Sequence, residues 1–287
     1  MQHRDGYREV PEETSRGAAL TTMGTADSDT VRRAPTTPEW VGDYTPAADL
    51  LAERVILITG AAEGIGRAAA RACAAHGATV VLLDKMVPRL EALYDEIEQA
   101  GHPQPAIYPM DLEGARPHHY QELTGSVQER LGRLDGLVHN AAVLGTLGPL
   151  HHVGLETWST VMQVNLHAPF LLTHACLPLL QAAPDASIVF LSDRVGRRGR
   201  AYWGAYGVSK FGIEGLMQIL ADEWEYRPSL RFNSLDPGPV ATQLRYQAYP
   251  AEDPAVRAAP ESVVPALLYL LGSDSRGVTG RAFNARA

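Results

Sequence analysis

Two side chains four residues apart could exchange a proton with a substrate. They are Tyr206 and Lys210, in the segment GAYGVSKFGIEG. In a helix this spacing puts the phenol and the ammonium on one face, where the cation favours the phenolate and lowers the pKa of the tyrosine. Lys210 is also one of only two lysines among 25 basic residues. Because a Tyr-x-x-x-Lys spacing is common by chance, its meaning depends on the elements that position it.

A glycine-rich loop indicates where a phosphate could bind. The apolar run VILIT at Val55–Thr59 leads directly into GAAEGIG, and an alanine-rich helix follows from about Ile65. Gly60, Gly64 and Gly66 let the backbone turn tightly and approach a pyrophosphate, while the start of the helix offers unpaired N–H groups. This strand–loop–helix context predicts a dinucleotide site, with a purely structural glycine turn as the alternative.

An acidic residue follows the loop at the distance expected for a ribose ligand. Asp84 ends the second apolar run, VVLLD, eighteen residues after Gly66 (84 − 66). A carboxylate there accepts hydrogen bonds from both ribose hydroxyls and repels a 2′-phosphate, so the sequence favours NAD over NADP. The neighbouring Lys85 could attract that phosphate, which keeps NADP possible. A solvated loop acid is the other interpretation of Asp84.

Two further polar segments follow predicted strands. Asp111 and Leu112 come after the third strand, and Asn140 and Ala141 come after the fourth. Ligands of open α/β sheets bind at the carboxyl ends of the strands. We therefore expect both segments to lie beside the same ligand as the glycine loop.

Short apolar runs alternate with longer amphipathic segments from about residue 50 onward. Strands are predicted at 55–59, 79–83, 106–108, 136–139, 187–191, 230–234 and 282–284, and helices at 65–75, 88–100, 119–131, 155–181, 206–226 and 261–271. Strict strand–helix alternation implies a parallel sheet covered by helices on both faces. The predicted fold is a single doubly wound α/β domain of Rossmann type, with seven parallel strands in the order 3-2-1-4-5-6-7.

Composition excludes several classes of function. The chain has 287 residues, and its 25 basic and 33 acidic side chains give a net charge of −8, which argues against nucleic-acid and anionic-membrane partners. No apolar run is long enough to cross a membrane, and the polar N-terminus is unlike a signal peptide, so we expect a cytoplasmic protein. The histidine pairs and the two cysteines lack metal-like spacing, so no metal is predicted.

The first 46 residues are polar and show no apolar period. We expect them to form a disordered or loosely attached tail, with a dinucleotide-binding catalytic domain at 47–287. A targeting or docking arm is the less favoured interpretation of this tail.

The ordered motifs resemble the short-chain dehydrogenase/reductase family over almost the whole span from about residue 50 to 283. The matching segments are TGAAEGIG at 59–66, HNAA at 139–142, Asn165 within VMQVNL, YGVSK at 206–210 and DPGPVAT at 236–242. Within that family, stretches such as VGRRGRAYWGAYGVSKFGIEG are most similar to the YciK-type oxidoreductases.

The resemblance implies a role for each matching residue. Tyr206 would be the general acid/base, Lys210 would bind the nicotinamide ribose and lower the pKa of Tyr206, and Asn165 would hold a water that relays protons to Lys210. The implied cofactor-binding residues are Thr59, Gly60, Gly64, Ile65 and Gly66 around the pyrophosphate, Asp84, Asp111 and Leu112 at the adenosine half, Asn140 and Ala141 at the wall beneath it, and Pro237, Gly238 and Thr242 at the nicotinamide end.

One residue departs from the family pattern. The family has a serine 13 residues before the tyrosine, whereas Asp193 stands there in this chain, with Ser192 one residue earlier. An ionised Asp193 would repel a developing oxyanion and raise the pKa of Tyr206, while a protonated Asp193 could donate the missing hydrogen bond. Three outcomes stay open: a rearranged loop in which Ser192 serves, an Asp193 that binds a cation or hydroxyl of the substrate, and a slow or inactive enzyme.

These features predict an oxidoreductase that transfers a hydride between NAD, or NADP, and the carbon of a carbonyl or secondary alcohol. The alternatives are a catalytically weakened sensor or scaffold that binds the dinucleotide, and a lyase or epimerase that uses bound NAD transiently. Surplus apolar residues in the helices at 155–181 and 206–226 indicate a subunit interface, and the resemblance implies a homodimer or homotetramer.

Overall fold

The computed structural model describes residues 39–41 and 43–285. Residues 1–38, most of the predicted tail, lie outside the described residues. In the part of the chain that is described, no helix combines the length and the apolar character needed to cross a bilayer.

Seven parallel strands form the body of one sheet. They are Val55–Thr59 (β1), Thr79–Asp84 (β2), Ala106–Pro109 (β3), Gly136–His139 (β4), Ala186–Leu191 (β5), Leu230–Asp236 (β6) and Arg281–Asn284 (β7). Their order is β3-β2-β1-β4-β5-β6-β7, which confirms the predicted topology. A two-residue strand, Glu39–Trp40, pairs in parallel with β7 and extends the sheet at that edge.

Eight α-helices accompany the strands in the described chain. They are Gly64–Ala75 (α1), Val87–Gln99 (α2), Pro117–Leu131 (α3), Leu155–Met162 (α4), Ala168–Ala182 (α5), Gly204–Glu223 (α6), Gln243–Ala248 (α7) and Val264–Leu271 (α8). A π-helical turn, Gln163–His167, joins α4 to α5 without a break, so the predicted helix at 155–181 is a helix with one wide turn in it. The sequence did not predict α7.

The sheet is covered on both faces. Alternate residues of β1 belong to opposite cores: Ile56 and Ile58 pack with α1, α2 and α8, whereas Val55 and Leu57 pack with α3, α5 and α6. All five residues of β1 are buried, which explains why this strand is a continuous apolar run rather than an alternating one. Both faces of the parallel sheet are thus closed, and the polar chemistry is left to the ends of the strands.

The end of the predicted tail contacts the domain. Besides the pairing of Glu39–Trp40 with β7, Val41 and Tyr44 pack against the core that contains α1 and α8. The Tyr44 hydroxyl donates a hydrogen bond of 2.8 Å to the Asp274 carboxylate. Contacts with the domain therefore begin before residue 47, the predicted boundary.

Candidate active site

Loops at the carboxyl ends of β1 to β6 enclose a cleft of about 510 Å³. This is the edge at which open α/β sheets bind ligands. The cleft is lined by most of the predicted site residues: Gly60, Gly64, Ile65, Asp84, Asp111, Leu112, Asn140, Ala141, Ser192, Asp193, Tyr206, Lys210, Pro237, Gly238 and Thr242. Three others, Thr59, Gly66 and Asn165, lie behind its walls rather than on them.

Two glycines of the loop after β1 leave no room for a Cβ. Gly60 has a φ of +67°, and a Cβ on it would lie 2.8 Å from Nδ2 of Asn140. A Cβ on Gly66 would lie 2.0 Å from the carbonyl oxygen of Gly60. No side chain caps α1, which begins at Gly64. The backbone N–H groups of its first turn can therefore donate to a ligand. This cradle of bare backbone fits a pyrophosphate group.

Thr59 and Asn140 join the ends of β1 and β4 beneath the cradle. The Thr59 hydroxyl oxygen accepts hydrogen bonds from the backbone N–H groups of Asn140, at 3.0 Å, and Ala141, at 3.1 Å. The Asn140 side chain donates to the carbonyl oxygens of Thr59, at 2.9 Å, and Gly60, at 3.1 Å. These bonds fix the loop from below.

Asp84 is held by backbone groups at the far end of the cleft. One carboxylate oxygen accepts the N–H of Ala62 at 3.2 Å, and the other accepts the N–H of Met86 at 3.1 Å. The half-buried Asp84 is therefore fixed rather than freely solvated. Beside it, Nζ of Lys85 lies 3.6 Å from a carboxylate oxygen of Asp111, and both of these side chains are more than half exposed.

Tyr206 and Lys210 are both buried on α6, one turn apart. Nζ of Lys210 donates to the carbonyl oxygen of Leu191 at 2.6 Å and lies 5.6 Å from the centre of the Tyr206 ring. Burial lowers the pKa of Lys210 to about 8, against the opposing effect of nearby carboxylates, of which Asp193 is the largest. The ammonium is thus close to losing its proton at mildly alkaline pH.

Asp193 contacts the hydroxyl of Tyr206. The hydroxyl donates to Oδ2 of Asp193 at 3.2 Å, while Oδ1 accepts the N–H of Val195 at 2.9 Å and caps the short turn Arg194–Gly196. Burial first, and then Asp193 and Asp236, raise the pKa of Tyr206 well above its ordinary value. Desolvation and the carboxylates dominate this pKa in the structure, and the expectation that Lys210 lowers it stays a prediction.

Ser192 takes no part in this contact. Its backbone N–H donates to the carbonyl oxygen of Leu235 at 2.8 Å. Its hydroxyl is buried and has no hydrogen-bond partner among the described residues. Asp193, rather than Ser192, is the side chain that meets Tyr206.

Asn165 lies on the π-helical turn and ties three elements together. Its Oδ1 accepts the N–H of Val143 at 2.8 Å, and its Nδ2 donates to the Val143 carbonyl at 2.9 Å and to Oγ of Ser209 at 3.1 Å. Ser209 in turn donates to the carbonyl oxygen of Tyr206 at 2.8 Å. Asn165 therefore positions the first turns of α6.

The sequence missed an ion cluster over the mouth of the cleft. Arg245, on α7, donates to Glu252 at 2.8 Å and stacks on the Tyr249 ring, with 3.9 Å from guanidinium carbon to ring centre. Arg257 donates to the same Glu252 at 3.0 Å. Trp203 lies between the rings of Tyr206 and Tyr249, at 5.7 and 5.9 Å between ring centres. No periodicity or motif in the segment 243–260 signals this cluster.

A second missed pair, Arg197 and Glu214, lies behind the loop that follows β5. Nε of Arg197 donates to Glu214 at 2.9 Å, and the same guanidinium donates to Asn284 at 2.9 Å and to the carbonyl of Phe283 at 3.0 Å. Glu214 stands one helical turn after Lys210, which is the spacing that could have identified it. No group of three or more His, Cys, Asp or Glu residues in the described ranges could hold a metal ion.

Comparison with known proteins places this geometry in context. The family pattern described as short chain dehydrogenase matches residues 54–253. The oxidoreductase YciK of Escherichia coli K12, which is described as uncharacterised, is 44% identical over 243 residues, covering 85% of this chain and 96% of YciK.

Solved structures agree with the sequence match. A short-chain dehydrogenase from Pseudomonas syringae superposes with a TM-score of 0.83 at 53% identity, covering 85% of this chain and 99% of the other. A short-chain dehydrogenase from Escherichia coli CFT073, complexed with NADPH, has a TM-score of 0.81 at 43% identity and is covered over its full length by 84% of this chain. The chain belongs to the short-chain dehydrogenase/reductase family.

Proposed function

We propose that this protein is a nicotinamide-dependent oxidoreductase that interconverts a carbonyl and a secondary alcohol. The observation that carries the proposal is that one cleft contains both a glycine cradle too tight for a Cβ and the buried pair Tyr206 and Lys210. When bound, the cofactor supplies or accepts the hydride. The NADPH complex of the related Escherichia coli CFT073 protein supports a cofactor of this kind.

Tyr206 is the proposed proton-exchanging group. Burial and Asp193 raise its pKa well above the ordinary value, so at neutral pH its hydroxyl holds the proton that a carbonyl oxygen takes up on reduction, but as a weaker acid than an ordinary phenol. Lys210 is proposed to bind the nicotinamide ribose through its ammonium, and Asn165 to position α6 and hold the relay water. The other proposed cofactor contacts come from Ile65, Leu112, Pro237, Gly238 and Thr242, all of which line the cleft.

The choice between NAD and NADP is proposed to rest on Asp84 and Lys85. Asp84, fixed by two backbone N–H groups, presents a carboxylate where a ribose diol would be bound and a 2′-phosphate would be repelled. Lys85 and its partner Asp111 are exposed, so the ammonium is free to turn toward a 2′-phosphate. We propose that NAD is preferred and that NADP is accepted.

A second candidate function is a dinucleotide-binding sensor or scaffold without turnover. The hydrogen bond between Tyr206 and Asp193 favours it, because the carboxylate competes with a substrate oxygen for the tyrosine proton. Both candidates predict cofactor binding, and only the enzyme predicts consumption of the reduced cofactor.

One experiment separates the two. The purified full chain is titrated with NADH and NADPH and followed by nicotinamide fluorescence, and a panel of ketones and aldehydes is then added. Binding followed by loss of the reduced cofactor supports the oxidoreductase. Binding with no turnover on any carbonyl supports the sensor, and no binding of either cofactor contradicts both.

We propose in addition that the protein is a cytoplasmic homodimer or homotetramer. Apolar side chains on α5 and α6 are about half exposed: Phe170 at 50%, Phe211 at 45% and Ile219 at 58%. Such a surface is typical of a subunit interface. Light scattering on the purified chain tests this, since a single species at the monomer mass of 31.0 kDa would contradict it.

A further inference from the structure

Two carboxylates lie at the end of the cleft that contains Tyr206 and Lys210. Asp193 lines the cleft, and Asp236 ends β6, where it is only 7% exposed. Both act on the same neighbours, since each raises the pKa of Tyr206 and each raises that of Lys210. The charged groups that act on Tyr206 and Lys210 are therefore mainly carboxylates.

Their hydrogen bonds match the ionised form. Both oxygens of Asp193 accept, one from the Tyr206 hydroxyl and one from the N–H of Val195. Oδ1 of Asp236 accepts the N–H of Gly238 at 2.8 Å. A carboxylate that accepts from N–H and O–H donors is stabilised in its charged form. At Asp236 burial acts more strongly in the other direction and raises the pKa, against the bond from Gly238.

Two other acids near this end of the cleft, Glu214 and Glu252, are paired with arginines, whereas Asp193 and Asp236 are not. Glu214 forms a salt bridge with Arg197, and Glu252 forms salt bridges with Arg245 and Arg257. Within the described ranges, neither Asp193 nor Asp236 is part of a salt bridge. Arg245, on α7, is a nearby cation, but it is bound to Glu252 and its effect on the pKa of Tyr206 is smaller than that of either carboxylate. Arg194 and Arg197 act to lower the pKa of Asp236, so the two carboxylates share this end of the cleft with Lys210 and these guanidinium groups.

The nicotinamide ring belongs at this end if the proposed function holds. The pyrophosphate cradle and Asp84 would bind the opposite half of the cofactor. The nicotinamide ring must lie next to the substrate carbon that exchanges the hydride, and the oxygen on that carbon would contact Tyr206. Asp193 is one hydrogen bond away from that hydroxyl. The oxidised ring carries one positive charge more than the reduced ring, while the rest of the cofactor is the same in both forms.

We propose that Asp193, supported by Asp236, makes this site bind the oxidised form of the cofactor more tightly than the reduced form. The inference rests on the proposed function. Its physical basis is the attraction between the carboxylates and a cationic ring in a water-poor cleft, which the neutral ring does not experience. In this respect the residue that replaces the family's serine determines which redox state of the cofactor the protein holds.

The test is equilibrium titration calorimetry of the full chain with the oxidised and reduced forms of NAD and NADP. Wild type is expected to have a lower Kd for the oxidised form. Asp193→Asn, which keeps the shape and removes the charge, should weaken binding of the oxidised form by about tenfold and leave the reduced form nearly unchanged, equivalent to about 30 mV in the potential of the bound two-electron couple.

The matched control is Asp253→Asn. Asp253 also caps a short turn through a 2.9 Å bond from the N–H two residues later, but it lies outside the cleft lining. Asp193→Ser is the second variant, and circular dichroism shows which variants are folded. The decisive quantity is the ratio of the Kd for the oxidised cofactor to the Kd for the reduced cofactor. If this ratio is the same in wild type, in the folded Asp193 variant and in the control, the inference is overturned and the proposed function is not. Failure of wild type to bind either form overturns the proposed function and this inference with it.

Discussion

The hydroxyl of Tyr206 and the carboxylate of Asp193 are joined by a hydrogen bond of 3.2 Å in which the tyrosine is the donor. Where the family has a serine that can donate to the substrate oxygen alongside the tyrosine, this chain has an acceptor. The tyrosine proton is therefore directed toward the protein rather than toward a substrate.

Replacing the carboxylate should increase reductase activity. Burial is the largest cause of the raised pKa of Tyr206, and Asp193→Ser removes the next one, the carboxylate of Asp193, and frees the hydroxyl for the substrate. We therefore expect kcat/KM for simple ketones to rise by about tenfold. The measurement is NAD(P)H consumption across a ketone panel, with Asp253→Ser as the control. Unchanged turnover in Asp193→Ser would show that the carboxylate does not limit the reaction.

Removing the phenol should separate chemistry from binding. Tyr206→Phe is expected to lower kcat by about 10²–10⁴-fold, because the proton donor is lost, with cofactor affinity retained. Tyr226→Phe is the matched control, since Tyr226 is 71% exposed and outside the cleft lining. Equal turnover in wild type and Tyr206→Phe would contradict the assignment of Tyr206 as the acid/base.

The two helical glycines Gly66 and Gly215 should respond in opposite ways to alanine. A Cβ on Gly66 would overlap the Gly60 carbonyl, whereas a Cβ on Gly215 meets nothing within 4 Å. We expect Gly66→Ala to lower the melting temperature and abolish cofactor binding, and Gly215→Ala to raise stability by about 0.5–1 kcal/mol. Thermal melts and cofactor titration of both variants check this. Normal cofactor binding by Gly66→Ala would contradict the proposal that the glycine cradle binds the pyrophosphate.

The adenosine end of the cleft should control the choice of cofactor. Asp84→Asn removes the charge that repels a 2′-phosphate, so the affinity for NADPH should rise about tenfold relative to that for NADH. Lys85→Gln should shift the ratio in the opposite direction. Asp95→Asn, an exposed acid on α2, is the control. If the ratio of the two Kd values is the same in all four proteins, the two residues do not set the specificity.

The buried lysine predicts a stability that rises with pH. Burial lowers the pKa of Lys210 from 10.5 to about 8, so between these values the unfolded chain binds the proton and the folded chain does not. The free energy of unfolding of wild type minus that of Lys210→Met should therefore rise from pH 8 toward pH 10, with a slope of at most about 1.4 kcal/mol per pH unit. Below pH 8 both states hold the proton and the difference should be flat. Urea unfolding of both proteins measures it, and a flat difference up to pH 10 would contradict the burial of a charged Lys210.

The sheet could be predicted from sequence because its strands are buried on both faces. All seven predicted strands are present, with ends that differ by at most two residues, since a continuous apolar run such as Val55–Thr59 has few other stable environments. α7 escaped prediction because its six residues, QLRYQA, are too short and polar to show a helical period. What starts it is the Thr242 hydroxyl, which accepts the N–H of Arg245.

The sequence could predict only those site residues whose place is set by the end of a strand or the start of a helix. Tyr206, Lys210 and the glycine loop are fixed by strand and helix ends, so their spacing was informative. Whether Ser192 or Asp193 meets Tyr206 depends on the direction of side chains after β5, which the turn Arg194–Gly196 sets. The pairing of Arg245 with Glu252 joins two loop segments and leaves no trace in periodicity.

The π-helical turn Gln163–His167 lets one continuous helix present different sides to the protein before and after the turn. A wide turn takes up one residue more than a regular one, and each residue of an α-helix rotates the chain by about 100°. Deleting a residue from this turn would restore a regular helix but swing Asn165 away from Val143 and Ser209, or else swing the apolar face of α5 away from the sheet. The extra residue thus changes the direction of the side chains that follow it. One continuous helix can therefore present both the inward amide of Asn165 and the apolar face of α5.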